Sequence, residues 1–188
     1  LVFRATNWNT PQIVTVTGVD DPIVDGSIAY SIVTHAVVSS DPNYIGLDPA
    51  DVAVTNADDD VAGITVTPTA GLITTEAGGS ATFTLVLDSQ PSADVTVGLS
   101  SSDLTEGTVA PASLTFTTLD WNLPRTVTAS GADDAIVDGA VAYTVVTAPS
   151  ISADADYSGR DPADVALTNA DDDVAGINVS PTAGLTTT

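Results

Sequence analysis

Carboxylates are the one reactive group this sequence supplies in number, and they come in clusters. Asp133, Asp134 and Asp138 crowd one stretch, Asp171, Asp172 and Asp173 another, and Glu76, Asp103 and Glu106 lie upstream of both. An earlier set, Asp20, Asp21 and Asp25 with Asp58, Asp59 and Asp60, has the same spacing. The 188 residues hold 25 acidic side chains against three arginines and no lysine, a formal charge of −22. Glu76 and Glu106 are the only glutamates, so nearly all the acid is aspartate, the residue of turns and of oxygen cages for hard cations. Such clusters repel unless a cation relieves them. Oxygen-only ligands on flexible loops select Ca²⁺, which takes six to eight oxygens, whereas zinc wants the cysteine and histidine this chain lacks in number. There is no cysteine, and the single histidine, His35, has alanine at the matching position of the repeat described below.

The same composition excludes other chemistry. The serine runs Ser39-Ser40 and Ser100-Ser101-Ser102 have no neighbouring base to activate a hydroxyl. Paired carboxylates could serve glycoside hydrolysis, but the clusters lack the aromatic platform a sugar needs, so no enzyme is expected. Nucleic-acid binding is excluded because phosphate affinity comes from lysine and arginine. No apolar run is long enough for a membrane-spanning helix, so no insertion of this segment is expected. With 43% hydrophobic residues, the chain is not a disordered acidic tail either.

What positions the carboxylates is a repeat. Trp8-Asn9 recurs as Trp121-Asn122, Asp20-Asp21 as Asp133-Asp134, Ile23-Val24-Asp25-Gly26 as Ile136-Val137-Asp138-Gly139, and Asp58-Asp59-Asp60 as Asp171-Asp172-Asp173. Val61-Ala62-Gly63-Ile64 returns as Val174-Ala175-Gly176-Ile177. Every pair is offset by 113 positions (121 minus 8, 174 minus 61), so the copies align without a gap. The expected organisation is the back half of one repeat (1–60), a complete repeat (61–173), and the first strand of a third (174–188). The half-copies are expected to be a window cut from a longer array; strand donation between identical chains is the alternative.

Within 61–173 the apolar period is two. Phe83, Leu85 and Leu87 alternate with threonine and valine, as do Val95, Val97 and Leu99, and Tyr143 and Val145. Turn signals such as Glu76-Ala-Gly-Gly and Gln90-Pro91-Ser92 separate the runs. The expectation is an all-β, immunoglobulin-like β-sandwich with about seven strands per 113-residue unit: 62–75 in two pieces, 80–88, 94–100, 113–118, 124–130, 140–147 and 163–169. Lettered A to G, these strands bring the A–B, C–D and E–F loops and the end of G to one pole. Nine carboxylates converge there: Glu76, Asp103, Glu106, Asp133, Asp134, Asp138 and Asp171 to Asp173. Trp8 and Trp121 are expected to plug the sandwich end.

The pattern resembles the Calx-beta domain, of the type repeated in tandem in very large bacterial surface and secreted proteins. The residues that carry the resemblance are Gly63-Ile64, Thr75-Glu76-Ala77-Gly78-Gly79, Leu114-Thr115-Phe116, Ala132-Asp133-Asp134 with Asp138, and Asp171-Asp172-Asp173. It implies calcium ligands at Glu76, Asp133, Asp134, Asp138 and the Asp171–Asp173 triplet, with Glu106 or Asp103 from the C–D segment. It further implies an extracellular calcium-stiffened stalk or fibre segment whose partners are neighbouring repeats of the same polypeptide or of identical chains. An adhesive module is the alternative, binding a glycan or cell-surface ligand through the F–G loops (34–50 and 147–163). Because no linker separates Asp60 from Val61, bound ions are expected to stiffen the array at that junction.

Overall fold

The alternation of apolar side chains with threonine becomes strand pairing in a computed structural model, which describes residues 1–187. Leu1–Asp60 is one compact unit and the residues from Val61 onward are another. The first contributes β1 (Ile28–Ile32) and β2 (Val52–Asn56). The second contributes β3 (Ile64–Thr67), β4 (Leu72–Thr75), β5 (Ser80–Leu87), β6 (Val95–Ser101), β7 (Gly107–Ala110), β8 (Ser113–Phe116), β9 (Arg125–Gly131), β10 (Val141–Thr147), β11 (Ile151–Ser152) and β12 (Val165–Ala170). No helix occurs among the described residues.

The second unit is an immunoglobulin-like β-sandwich. One sheet runs β3-β5-β9-β7, all antiparallel. The other runs β6-β10-β12-β4, with β8 and the short β11 also paired to β6. Only β4 lies parallel to its neighbour, with Leu72 opposite Leu167 on β12. The inward positions of each strand fill the space between the sheets. Phe83, Leu85, Val127 and Ala129 come from one sheet, and Val95, Val97, Tyr143, Val145, Val165 and Leu167 from the other; all are buried. Each fully buried valine, leucine or phenylalanine contributes about 1.5–3 kcal/mol, so this interior drives the fold.

Several details differ from the sequence expectation, among them the short β11. Strand β7 was not foreseen, because Gly107-Thr-Val-Ala presents one large apolar residue and ends at a proline. It takes the edge beside β9, and Ser113–Phe116 pairs with β6 in the opposite sheet. Residues 174–187, which match 61–74, form no strand and leave Ile177 94% exposed. The partners that hold β3 and β4 are β5 and β12, and those are already used. Thr188, the last residue of that expected strand, lies outside the described residues.

In the first unit β1 and β2 are antiparallel with Ile28 opposite Asn56, the 113-residue image of Val141 opposite Asn169. Residues 12–18, the counterpart of β9, form no strand. The reason is local: β9 is held between β5 and β7, and neither has a counterpart in 1–60. Trp8, expected to plug the sandwich end, is exposed, while Trp121 is half-buried and its carbonyl accepts the Leu87 amide.

Candidate metal centre

Turn chemistry builds the acidic pole of the second unit. Glu76 follows β4 at the tight turn into β5, where Gly78 takes a positive φ of 83° that a side chain would disfavour. Glu106 closes the loop between β6 and β7, and its carbonyl accepts the Ala132 amide from the β9–β10 loop. Asp134 caps that loop by accepting the Ile136 amide at 2.7 Å. Asp171, just past β12, accepts the Gly139 amide at 2.7 Å and the Asp173 amide at 2.7 Å. A buried hydrogen-bonded core lies behind these loops. Thr74 Oγ1 donates to Asn169 Oδ1 at 3.0 Å and meets the Tyr143 hydroxyl at 3.1 Å, while Asn169 Nδ2 donates to the Ala132 carbonyl at 2.9 Å.

Two groups of three carboxylates result. Glu76, Asp171 and Asp173 form one, and Glu106, Asp134 and Asp138 the other. In each, one carboxylate oxygen per residue lies within 4.8 Å of the others. Two oxygens on opposite sides of a Ca²⁺ ion sit about 4.6–5.2 Å apart, twice the bond length, so each spacing admits one ion in contact with all three. Each group also contains a buried carboxylate oxygen with no hydrogen-bond partner, Asp173 Oδ2 in the first and Glu106 Oε2 in the second. An orphaned buried oxygen costs about 1–3 kcal/mol, more when charged, so both groups fit a cation that supplies the missing partner.

The electrostatics agree with the geometry. Burial raises the Glu76 carboxyl above its ordinary value, with Asp171, Asp134 and Asp138 adding repulsion against one backbone hydrogen bond. Burial also raises Glu106, reinforced chiefly by Asp138, and raises Asp173, reinforced by Asp171 and Asp172. Asp171 moves the other way because the Gly139 and Asp173 amides donate to it. Each group thus sets one buried glutamate against aspartates that are half-buried or, at Asp138, exposed, with no basic side chain in either.

The remaining expected residues of this unit are members of neither group, though the Asp172 amide donates to Glu76 Oε2 at 3.4 Å. Asp103 is engaged locally, accepting the Thr105 amide at 3.0 Å and its hydroxyl at 2.6 Å, which lowers its pKa. Asp133 and Asp172 are exposed. In the first unit, Asp20, Asp59 and Asp60 form the one three-carboxylate group found among its described residues. Asp21 accepts the Ile23 amide, and Asp58 accepts the amides of Gly26 and Asp60; Asp25 is exposed. Burial raises Asp60, whereas the two amide hydrogen bonds lower Asp58.

The opposite pole carries features that sequence reading did not assign. The Tyr157 hydroxyl donates to the Ser89 carbonyl at 2.6 Å and accepts its amide at 3.0 Å, and Asp154 Oδ2 accepts the Ser92 amide at 2.6 Å. Together they fasten the loop after β10 to the loop between β5 and β6. The repeat of Tyr44 at Tyr157 was the available signal.

No protein-family model and no curated protein matches the sequence. Among solved structures, the periplasmic chaperone SfaE matches at a TM-score of 0.46 and 12% identity, covering 63% of this chain and 61% of the chaperone. SSP-19, an MSP-domain-like protein of Caenorhabditis elegans, matches at 0.41 and 19%, covering 57% of this chain and 99% of its own. Domains 4 and 5 of the S-layer protein SbsC match at 0.38 and 16%, covering 87% of this chain and 88% of theirs. The chain thus spans about three fifths of the chaperone. Likeness at this level goes no further than the strand architecture.

Proposed function

We propose that this chain is a calcium-binding structural repeat of the Calx-beta kind, acting as a stalk or fibre segment of a large extracellular bacterial protein. The observation that carries the reading is the pair of three-carboxylate groups, each with a buried orphan oxygen, in a chain without lysine. Glu76, Asp171 and Asp173 would hold one ion, and Glu106, Asp134 and Asp138 another. The ions would supply charge neutralisation and a cross-link between loops of both sheets. Extracellular calcium is abundant enough to fill even weak modules of about 10⁻⁴–10⁻³ M affinity, which favours that compartment.

Calorimetric titration of Ca²⁺ into EDTA-treated protein tests this. Saturable binding that is lost in a Glu76→Gln, Glu106→Gln double variant is expected. No binding heat together with a melt unchanged by EDTA would overturn it. Stiffening is tested by small-angle scattering of a two-repeat polypeptide, whose longest dimension should broaden when calcium is removed.

An adhesive role is favoured by one observation. The F–G loops of the two units share a backbone frame, Val37 with Leu47 and Gly46 in one and Ser150 with Arg160 and Gly159 in the other, yet differ in most side chains. Glycan-array binding by the whole chain, lost on exchanging one loop for the other, would support that reading over the stalk.

A further inference from the structure

The six grouped carboxylates of the second unit come from four segments of chain that repel one another. Glu76 follows β4, Glu106 precedes β7, Asp134 and Asp138 lie between β9 and β10, and Asp171 and Asp173 follow β12. One uncharged side chain reaches all four. Asn169, near the end of β12, is 1% exposed and stands two residues before Asp171. Its Oδ1 accepts the hydroxyl of Thr74, two residues before Glu76, at 3.0 Å. Its Nδ2 donates at 2.9 Å to the carbonyl of Ala132, two residues before Asp134. The same carboxamide donates toward the Glu106 carboxylate, opposing the burial that raises its pKa.

The carboxamide is held in one orientation. A primary amide offers an acceptor oxygen and two donor hydrogens, and here Thr74 takes the acceptor while Ala132 and Glu106 face the donors. A flip would set its oxygen against the Ala132 carbonyl and the Glu106 carboxylate. The backbone closes around the same network. A Cβ at Gly131 would collide with Asn169 Oδ1 and the Thr75 carbonyl, and a Cβ at Gly107, next to Glu106, would collide with the Tyr143 hydroxyl. That hydroxyl lies 3.1 Å from Thr74 Oγ1. A buried polar network satisfied in this way is rigid, because each partner it loses leaves another unpaired.

We propose, resting on the calcium reading of this pole, that Asn169 is a positioning residue shared by both carboxylate groups. Its carboxamide fixes the placement of the four ligand-bearing segments, so the affinity of each group for an ion depends on a side chain that ligates neither. Residues that orient metal ligands in this way are worth roughly 10–100-fold in affinity.

Calorimetric titration of Ca²⁺ into the whole chain reads the groups one at a time when each glutamate is replaced in turn. Glu76→Gln leaves the Glu106 group, and Glu106→Gln leaves the Glu76 group. Asn169→Asp keeps the acceptor for Thr74 and removes both donors. In each background it should weaken Ca²⁺ binding by roughly 10–100-fold, although by charge alone an added carboxylate would tighten it. Thr74→Val should weaken the Glu76 group several-fold, and Thr74→Ser, which keeps the hydroxyl, should restore it. If Asn169→Asp does not fold, the Thr74 pair decides, and equal affinities for valine and serine would overturn the proposal. Weakening in one background alone would overturn it too, since Asn169 would then serve a single group. So would unchanged or tighter binding with a lowered melting temperature, which is the mark of a purely structural residue. Absence of any Ca²⁺ binding by the chain with both glutamates intact is a different failure: it overturns the calcium reading itself, and this role with it.

Discussion

The acidic poles of the two units are built on the same loop backbone and group their carboxylates differently. Gly26 and Gly139 both donate to the first aspartate of the triplet, at 2.7 Å in each case. Asp60 and Asp173 both donate back to that aspartate. Yet the first unit gathers Asp20, Asp59 and Asp60, while the second forms two groups, each of two aspartates around one buried glutamate. Both glutamates come from the first half of the repeat and all four aspartates from the second. The aspartate loops are therefore self-sufficient as backbone, and their grouping depends on the half that brings Glu76 and Glu106. A cation bound in either group would join the two halves as well as neutralise a loop.

The widest gap between the units is expected on removing calcium. If each group binds one ion at about a hundred times its dissociation constant, each contributes about 2.7 kcal/mol by mass action. For a unit of this size that corresponds to a loss of roughly 20 °C or more in melting temperature with EDTA. Hydrogen exchange resolves the units, and protection of β10 and β12 should fall far more than that of β1 and β2. Equal losses in both would erase the distinction drawn from the glutamates.

A smaller break comes from matched glycines. A side chain at Gly131 would collide with the Thr75 backbone carbonyl and with Asn169, neither free to move. At Gly18, its counterpart, the obstacle is the end of the Asn56 side chain alone. Gly131→Ala is expected to destabilise the second unit by about 1–3 kcal/mol, as overpacking does, and Gly18→Ala much less. Denaturant unfolding of both variants measures the difference.

Tyrosines at the other pole sharpen the comparison further. Tyr157→Phe leaves the Ser89 amide and carbonyl without their partner inside the protein, a loss of about 1–2 kcal/mol. Tyr44→Phe should change nothing measurable, since Tyr44 is exposed. A comparable loss from both would mean that the first unit holds its tyrosine in a closed core.

Much of this was legible in the sequence, for physical reasons. One face of each strand is buried, so period-two alternation marked β5, β6, β10 and β12, and the fixed offset marked the copies. Turn residues marked the loops that share a pole. Strand β7 was hidden because Val109 is its one large apolar residue and edge pairing with β9 supplies what its side chains do not. The gathering of six of the nine carboxylates into two groups of three was hidden as well, because it depends on which neighbour engages each oxygen. Asp103 shows this: Thr105, two residues on, takes its carboxylate, and an aspartate followed two positions later by threonine was the signal for that local turn.

The smallest expected effect, and the finest probe of the glutamates, is the pH dependence of the calcium-free protein. Glu76 and Glu106 have ordinary values of 4.5 and are raised in the folded state, first by burial and then by neighbouring carboxylates. A raised carboxyl binds its proton more tightly when folded. Its contribution is therefore favourable below the unfolded pKa and is lost as pH rises from 4.5 through the raised value. Asp171, with an ordinary value of 3.8, is lowered by the amides it accepts, so its contribution is present above that value and is lost as pH falls. The two opposing slopes put the stability maximum of the calcium-free second unit near pH 4–5. Raising the pH to 7 should lower its melting temperature by a few degrees, and saturating Ca²⁺ should reverse the slope because the ion displaces those protons. Glu106→Gln should flatten the calcium-free decline while weakening calcium binding. If the calcium-free melting temperature climbs steadily from pH 5 to 7, the buried glutamates are not the strained element of the pole.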